Sequence, residues 1–215
     1  MLFQRQSCAS ILDRGLLDLG LSISGSVQSQ LIDYLELLAQ WNAVHNLSAV
    51  RDPVAMVRHH LLDSLAILPY LSQGRWLDVG TGAGLPGIPL ALCLPEYSFV
   101  LLDSTQKKIC FVDHVLISLK LSHVRAVCAR VETYAEQGSF DGILCRAFSS
   151  VSAFVQASRS LCRIGGQFLS MKGTMELADS ECAALPPGVQ LEGIRSLRVP
   201  GLDRARSLAM LRRMN

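Results

Sequence analysis

The stretch Arg75-Trp76-Leu77-Asp78-Val79-Gly80-Thr81-Gly82-Ala83-Gly84-Leu85-Pro86-Gly87 decides the fold. It reads as a buried strand ending near an acid, a turn with glycine at alternate positions, and the start of a helix. Glycines there let the chain turn tightly and let a ligand approach the backbone, because no Cβ stands in the way. The helix start presents unpaired N–H groups, which suit a polar or anionic ligand group. Pro86 is expected in the first helical turn, where its missing N–H removes no bond.

Two cofactor classes use such a turn. A Gly-x-Gly-x-x-Gly pattern falls at Gly82, Gly84 and Gly87, but the strand ends before it, out of phase for a dinucleotide. The in-phase pattern, Asp78-x-Gly80-x-Gly82-x-Gly84, resembles the first motif of S-adenosylmethionine (SAM) methyltransferases with a Rossmann-like fold. The next apolar run, Phe99-Val100-Leu101-Leu102, ends at Asp103, and an acid at that place can grip ribose hydroxyls.

With 215 residues the chain is sized for one substantial domain plus an extension. No run reaches the roughly 18–20 apolar residues of a membrane span, and the start Met1-Leu2-Phe3-Gln4-Arg5 lacks the apolar core of a signal peptide. A soluble, cytoplasmic protein with no membrane partner is expected, with a monomer as the default assembly. The seven cysteines stand singly without a Cys-x-x-Cys pair, which argues against a disulfide framework and against a zinc site, so no metal is expected. A net charge of +2 does not announce a nucleic-acid binder. Arg195, Arg198, Arg204, Arg206, Arg212 and Arg213, opposed only by Asp203, form either a footprint for phosphate or the solvated face of a terminal hairpin.

Residues 1–71 read as a helical extension and 72–215 as one SAM-binding unit. Leu31, Tyr34, Leu35, Leu38 and Trp41 recur at the spacing of one helical face. Asp52-Pro53 supplies an N-cap and a first-turn proline for a helix with Val57, His60, Leu61, Ser64, Leu65 and Leu68 on one side. Beyond Arg75 the pattern predicts strands over 75–79, 98–102, 124–128, 140–145, 167–171, 189–197 and 207–212, with helices over 86–93, 105–119 and 151–162. The fold class is therefore α/β, a Rossmann-like, mostly parallel seven-stranded sheet closed by an antiparallel C-terminal hairpin. Asp78, Asp103, Arg130 and Arg146 fall at or just past strand ends, where such sheets bind ligands.

Several further strings accompany the glycine motif: Trp41-Asn42-x-x-x-Asn46-Leu47-Ser48, Arg51-Asp52-Pro53, His60-x-Leu62-Asp63-Ser64, Leu102-Asp103-Ser104, Arg130-Val131-Glu132, Arg146-Ala147-Phe148 and Lys172-Gly173. Together they resemble the RsmG (GidB) family, which methylates guanine N7 in 16S ribosomal RNA of the small ribosomal subunit. The resemblance implies SAM as cofactor and that RNA, or the subunit, as partner. It implies cofactor contacts from Asp78, Gly80, Thr81, Gly82, Gly84, Leu85, Asp103, Val131, Glu132 and Arg146, the last also positioning the acceptor. It places His60, Lys107, Lys108, Arg130, Lys172 and Arg206 on the RNA side. Two positions depart from the family pattern: His59 stands where an arginine usually precedes the His of the His-x-Leu-Asp-Ser string, with Arg58 one residue earlier, and Thr105-Gln106 stands where a glycine usually precedes Lys107-Lys108.

The chemistry agrees with these residues. Guanine N7 carries a lone pair and no proton at neutral pH, so transfer needs alignment and electrostatic preorganisation rather than a general base. Adenine amines are commonly served by an Asn/Asp-Pro-Pro-aromatic string after the fourth strand; here that place reads Cys145-Arg146-Ala147-Phe148. Cytosine C5 chemistry needs a cysteine nucleophile, and Cys145 lacks the flanking proline of those families and reads as core. Phe148 reads either as a base-stacking aromatic or as a core residue. His60 reads as a partner of Asp63 or as an RNA contact. A methyltransferase for a small molecule or protein, and a SAM-binding assembly module without turnover, are the competing functions.

Overall fold

The computed structural model describes residues 3–146, 148–182 and 184–215. Two helices come first, α1 (Arg5–Asp18) and α2 (Gly25–His45). Ser24 caps α2 by accepting the Val27 N–H at 3.4 Å, and Asn46 ends it in a left-handed conformation. Leu31, Tyr34, Leu35 and Leu38 are fully buried, as their spacing predicts. Asp52 Oδ2 accepts the Ala55 N–H at 2.8 Å, with Pro53 behind it, and starts α3 (Pro53–Met56). This helix passes through a π-helical segment (Val57–Leu62) into the short α4 (Asp63–Leu65). The wider π turn buries Leu62 and Asp63 as well as the face expected from an α period.

Beyond them lie β1 (Arg75–Val79), α5 (Gly87–Cys93), β2 (Ser98–Asp103), α6 (Gln106–Ser118), β3 (Val124–Cys128), β4 (Phe140–Cys145), α7 (Val151–Ser158), β5 (Cys162–Lys172), α8 (Met175–Cys182), β6 (Val189–Leu197) and β7 (Arg206–Arg213). They form one seven-stranded sheet in the order β3-β2-β1-β4-β5-β7-β6. β1 pairs in parallel with both β2 and β4, and β7 alone reverses direction, antiparallel to β5 on one side and β6 on the other. The chain steps outward from β1 to β3 and then crosses to β4, so the crevice of the switch lies beyond the carboxyl ends of β1 and β4.

Both sheet faces are covered. Trp76, Phe99, Leu101, Leu144, Leu169 and Leu208 pack toward the N-terminal helices, α5 and α6. The alternating residues Leu77, Val100, Ile143, Phe168 and Leu211 pack toward α7 and α8. The N-terminal helices thus share a core with one face of the sheet.

Several bounds differ from the sequence reading. The helix expected over 151–162 stops at Ser158, and β5 starts at Cys162, opposite Phe140, well before the expected 167. The register shift in that pairing holds Gly165-Gly166, a bulge that lets the strand resume at Gln167. Helix α8 has no counterpart in the reading, although Thr174 caps it by accepting the Leu177 N–H at 3.2 Å. Pro86 precedes α5 as its N-cap rather than lying in its first turn. Among the described residues, no helix is long and apolar enough to cross a membrane.

Candidate active site

Two cavities lie at the carboxyl ends of the strands and share one wall residue, Phe148. The first, about 320 Å³, is lined by Val79, Gly80, Asp103, Arg130, Val131 and Glu132 among others. Gly80 and Thr81 donate their N–H groups to Leu102 O at 2.8 and 3.0 Å, which stitches the glycine turn to the end of β2. Gly80 has φ +70, and a Cβ there would meet no atom within 4 Å, so its bare backbone opens onto space rather than core. Gly87 differs: a Cβ would collide with Leu101 and come within 2.8 Å of Asp78 Oδ2.

Asp78 shares the sheet face of Trp76 and so lies under the start of α5. Its Oδ2 accepts from Thr81 Oγ1 at 2.7 Å and from the Gly87 N–H at 2.9 Å, while the buried Oδ1 has no partner among the described residues. Burial outweighs those bonds and pushes this carboxyl up to about 6. Asp103 is the junction of the turn. It takes the Gly82 N–H at 3.0 Å, the Thr105 N–H at 2.9 Å and Lys108 Nζ at 3.2 Å. Of the ten residues assigned to the cofactor from sequence, Gly80, Asp103, Val131 and Glu132 line this cavity. Asp78, Thr81, Gly82, Gly84 and Leu85 shape the turn behind it, and Tyr34 Oη secures that turn by donating to Ala83 O at 2.8 Å.

Arg146 belongs to the second cavity, about 380 Å³, with His59, His60, Asp63, Met171, Lys172 and Arg206. Asp63, with a side chain only 3% exposed, accepts from Arg206 Nε at 2.8 Å and from Arg146 at 3.4 Å. Arg146 also donates to His59 O at 3.1 Å. One carboxylate from the N-terminal helices therefore gathers two guanidiniums from the ends of β4 and β7. His60 Nε2 lies 2.8 Å from Ser48 Oγ, and its buried Nδ1 has no partner among the described residues. Burial, reinforced by the Arg146 charge, lowers its pKa to about 4, so the ring is neutral at pH 7. His59 lines the cavity, whereas Arg58 lies against Gly201 and α1 and does not take the place of the family's usual arginine.

The remaining basic residues divide sharply. Lys107 Nζ donates to His45 O at the end of α2, at 2.7 Å. Lys172 pairs with Glu181 at 2.8 Å and is only 7% exposed. Arg212 pairs with Glu192, and Arg213 donates to Arg159 O at 2.9 Å. Arg130, Arg195, Arg198 and Arg204 are exposed. Cys145 is fully buried against Ser170, lines neither cavity, and burial pushes its thiol up to about 12. Ala147, inside the Arg146–Phe148 string, lies outside the described residues.

The sequence reading offered Asp63 as a partner of His60; the structure pairs His60 with Ser48 and gives Asp63 to Arg146 and Arg206 instead, while Glu181 was not singled out. Asp63 stood in the quoted His-x-Leu-Asp-Ser string but off the helical face expected to be buried, so its two arginine partners carried no signal; Glu181 carried none either.

Solved structures of similar fold include the 1,6-didemethyltoxoflavin-N1-methyltransferase of Burkholderia thailandensis with bound S-adenosylhomocysteine, at TM-score 0.58 and 15% identity over 85% of this chain and 90% of that one. TrmN from Thermus thermophilus matches at TM-score 0.54 and 19% identity over 70% of this chain and 48% of that one. The [4+2]-cyclase SpnF matches at TM-score 0.61 and 14% identity over 88% of this chain and 96% of that one, so the likeness defines the fold and leaves the reaction open. Sequence relatives are more specific. A protein of Pseudomonas aeruginosa named ribosomal RNA small subunit methyltransferase G is 46% identical over 97% of each chain. One of Methylobacillus flagellatus with the same name is 44% identical over 93% of this chain and 96% of its own. The GidB model, described as rRNA small subunit methyltransferase G, matches residues 27–209. With the glycine turn, the paired cavities and these matches together, the chain belongs to the GidB family of rRNA small subunit methyltransferases.

Proposed function

We propose that the chain transfers a methyl group from SAM to N7 of a guanine in 16S ribosomal RNA of the small subunit, in the cytoplasm. The adjacency of the two cavities at Phe148 carries this reading: one is built for a nucleoside cofactor, the other is a basic cleft for the acceptor. SAM fits the first. Gly80 offers backbone access, Asp103 has acceptor capacity left on Oδ1 for ribose, and Val131 gives an apolar contact for adenine beside Glu132. Asp78 holds the glycine turn from behind, through Thr81 Oγ1 and the Gly87 N–H.

When bound, SAM supplies a sulfonium-activated methyl group that the N7 lone pair can take without loss of a proton. The site's task is then alignment. Arg146, held by Asp63 and His59 O, presents remaining guanidinium donors toward the acceptor cavity, where the guanine O6 edge would accept them. Positive charge passes from sulfur to the purine without changing in sum, so Arg146 positions the base rather than offsetting new charge. Phe148 is placed to pack on cofactor and base alike. Arg130 at the open rim and Arg206 in the cleft are the cations assigned to backbone phosphate, with Arg195, Arg198 and Arg204 continuing the basic surface. Residues 5–71, which supply His60 and Asp63 to the cleft, act as the RNA-directed extension.

The deciding experiment is transfer of labelled methyl to small subunits from cells lacking this protein, with the modified base mapped by reduction and aniline cleavage at 7-methylguanine. Label at N7 of one guanine is the expected result. Label at another atom, or none, overturns the assignment.

A further inference from the structure

Lys172 ends β5 on the wall of the acceptor cavity, where the family resemblance sets it facing RNA. Its side chain is only 7% exposed and its ammonium already has two partners: it donates to Phe148 O at 2.9 Å and pairs with Glu181 Oε2 at 2.8 Å. That same Glu181 oxygen accepts the N–H of Val151, the first residue of α7, at 2.8 Å. The lysine and the glutamate therefore fix two backbone points of one short connection, the carbonyl of Phe148 and the amide of Val151. Arg146, at the front of that connection, is held separately by Asp63 and His59 O. Ser207 Oγ donates to Thr174 O at 3.1 Å and fastens the start of α8, the helix that carries Glu181.

We propose that Lys172 and Glu181 are positioning residues for methyl transfer: they set the loop that places Phe148 between the cofactor and acceptor cavities. This rests on the function proposed above. A covered lysine with two internal partners is poorly suited to phosphate, since turning outward would strand the Glu181 carboxylate beside Phe148 O. Phe148 is the wall residue common to both cavities, and its ring centre rests 5.8 Å from that of Phe154. Its backbone carbonyl is the point the ammonium grips. A displacement near 1 Å at this wall misaligns an in-line transfer, and errors of that size cost on the order of 100-fold in rate.

The test uses the full chain and small subunits lacking the modification. Single-turnover methyl transfer is measured at saturating SAM and subunit, alongside RNA affinity across salt and hydrogen exchange at the Val151 amide. Lys172→Met and Glu181→Ala should each slow transfer by about tenfold or more, and the double variant should be no slower than the worse single one, because both act through one loop. Glu181→Gln, which keeps volume and an acceptor oxygen, should fall between parent and Glu181→Ala. The salt slope of RNA binding should stay parental, and Val151 should exchange faster in Glu181→Ala. A Lys172→Met slope flatter by roughly 0.7–0.9, with Glu181→Ala at the parental rate, would show Lys172 to be a phosphate contact and overturn the proposal. Parental exchange at Val151 in Glu181→Ala overturns it too. The Glu181 variants decide the matter even where Lys172→Met fails to fold. Absence of methyl transfer by the parent would sink the proposed function instead, and exchange at Val151 would still report on the bracket.

Discussion

The two cavities share Phe148 and are built in opposite ways. The cofactor side is written largely in short runs at successive strand ends: turn 80–86, the end of β2 with the start of α6, and residues 129–132 after β3, the first two joined by backbone N–H groups and an ion pair between residues five apart, Lys108 and Asp103. The acceptor side is a product of distance. Asp63 reaches partners 83 and 143 residues away, and Glu181 takes the Val151 N–H from 30 residues away. A cofactor of fixed shape can be met by a fixed backbone turn, whereas the acceptor side has to be assembled from side chains that only the finished fold brings together.

Removing Asp63 should break the acceptor side alone. Asp63→Ala leaves two guanidiniums facing each other without their carboxylate, which should destabilise the fold by about 3 kcal/mol, the low end for a buried pair because both arginines are about a quarter exposed. Methyl transfer should fall by about 100-fold or more through loss of Arg146 alignment. SAM affinity, read by calorimetry, should remain parental; a parallel loss of SAM binding would dissolve the distinction between the two sides.

The reciprocal change is Gly80→Ala. A side chain at φ +70 costs about 1–2 kcal/mol in strain and projects into the cofactor cavity. SAM affinity should weaken by about tenfold or more, near 1.4 kcal/mol, with RNA affinity in the absence of SAM unchanged.

The basic residues give a smaller test. Arg130→Ala should flatten the slope of log affinity for RNA against log salt by roughly 0.7–0.9. Lys107→Ala should leave that slope alone and lower stability by less than about 1 kcal/mol, since its ammonium serves the C-terminal carbonyls of α2. A slope change in Lys107→Ala alone would reverse the assignment.

In their response to pH the two sides oppose each other. Burial lowers His60 to about 4, so its contribution is complete above the ordinary value of 6.5 and is lost as pH falls toward 4. Burial raises Asp78 from 3.8 to about 6, so the native state takes up a proton first and gains relative stability as pH falls through that window. His60→Gln should therefore become more stable relative to the parent between pH 6.5 and 4.5, by at most about 1.4 kcal/mol per pH unit. Urea midpoints at four pH values would show it, and parallel curves would remove His60 from the account.

The same asymmetry explains what could be read from the chain. Strands 75–79 and 140–145 matched residue for residue because a strand buried on both faces leaves an apolar run bounded by turn residues, and the edge strands 124–128 and 189–197 matched because apolar residues interleaved with polar ones stand between turn residues. Asp78 and Gly80 were legible because the turn is written in consecutive residues, and Asp103 because it ends the next apolar run. The roles of basic residues were not. Lys107 and Lys172 look alike in sequence as cations beside strand ends, yet one holds a helix terminus and the other a loop. Whether a lysine is free depends on acids such as Glu181 that arrive from elsewhere. The π turn over 57–62 was equally hidden, since its residues suit an α-helix until packing requires Leu62 and Asp63 to face inward as well.

The sheet order also bears on how the chain acquires its structure during synthesis. β7 follows β6 in the chain but lies between β5 and β6, so the first 205 residues can leave the ribosome while the free edge of β5 still has no neighbour. β6 has nowhere to dock until β7 arrives, and Asp63 waits through the same interval for Arg206, the first residue of β7. A nascent chain stalled there would carry an assembled cofactor turn beside an unpaired strand edge, the kind of template that recruits other chains. Protection of that edge falls to the final strand, and so does completion of the acceptor cleft.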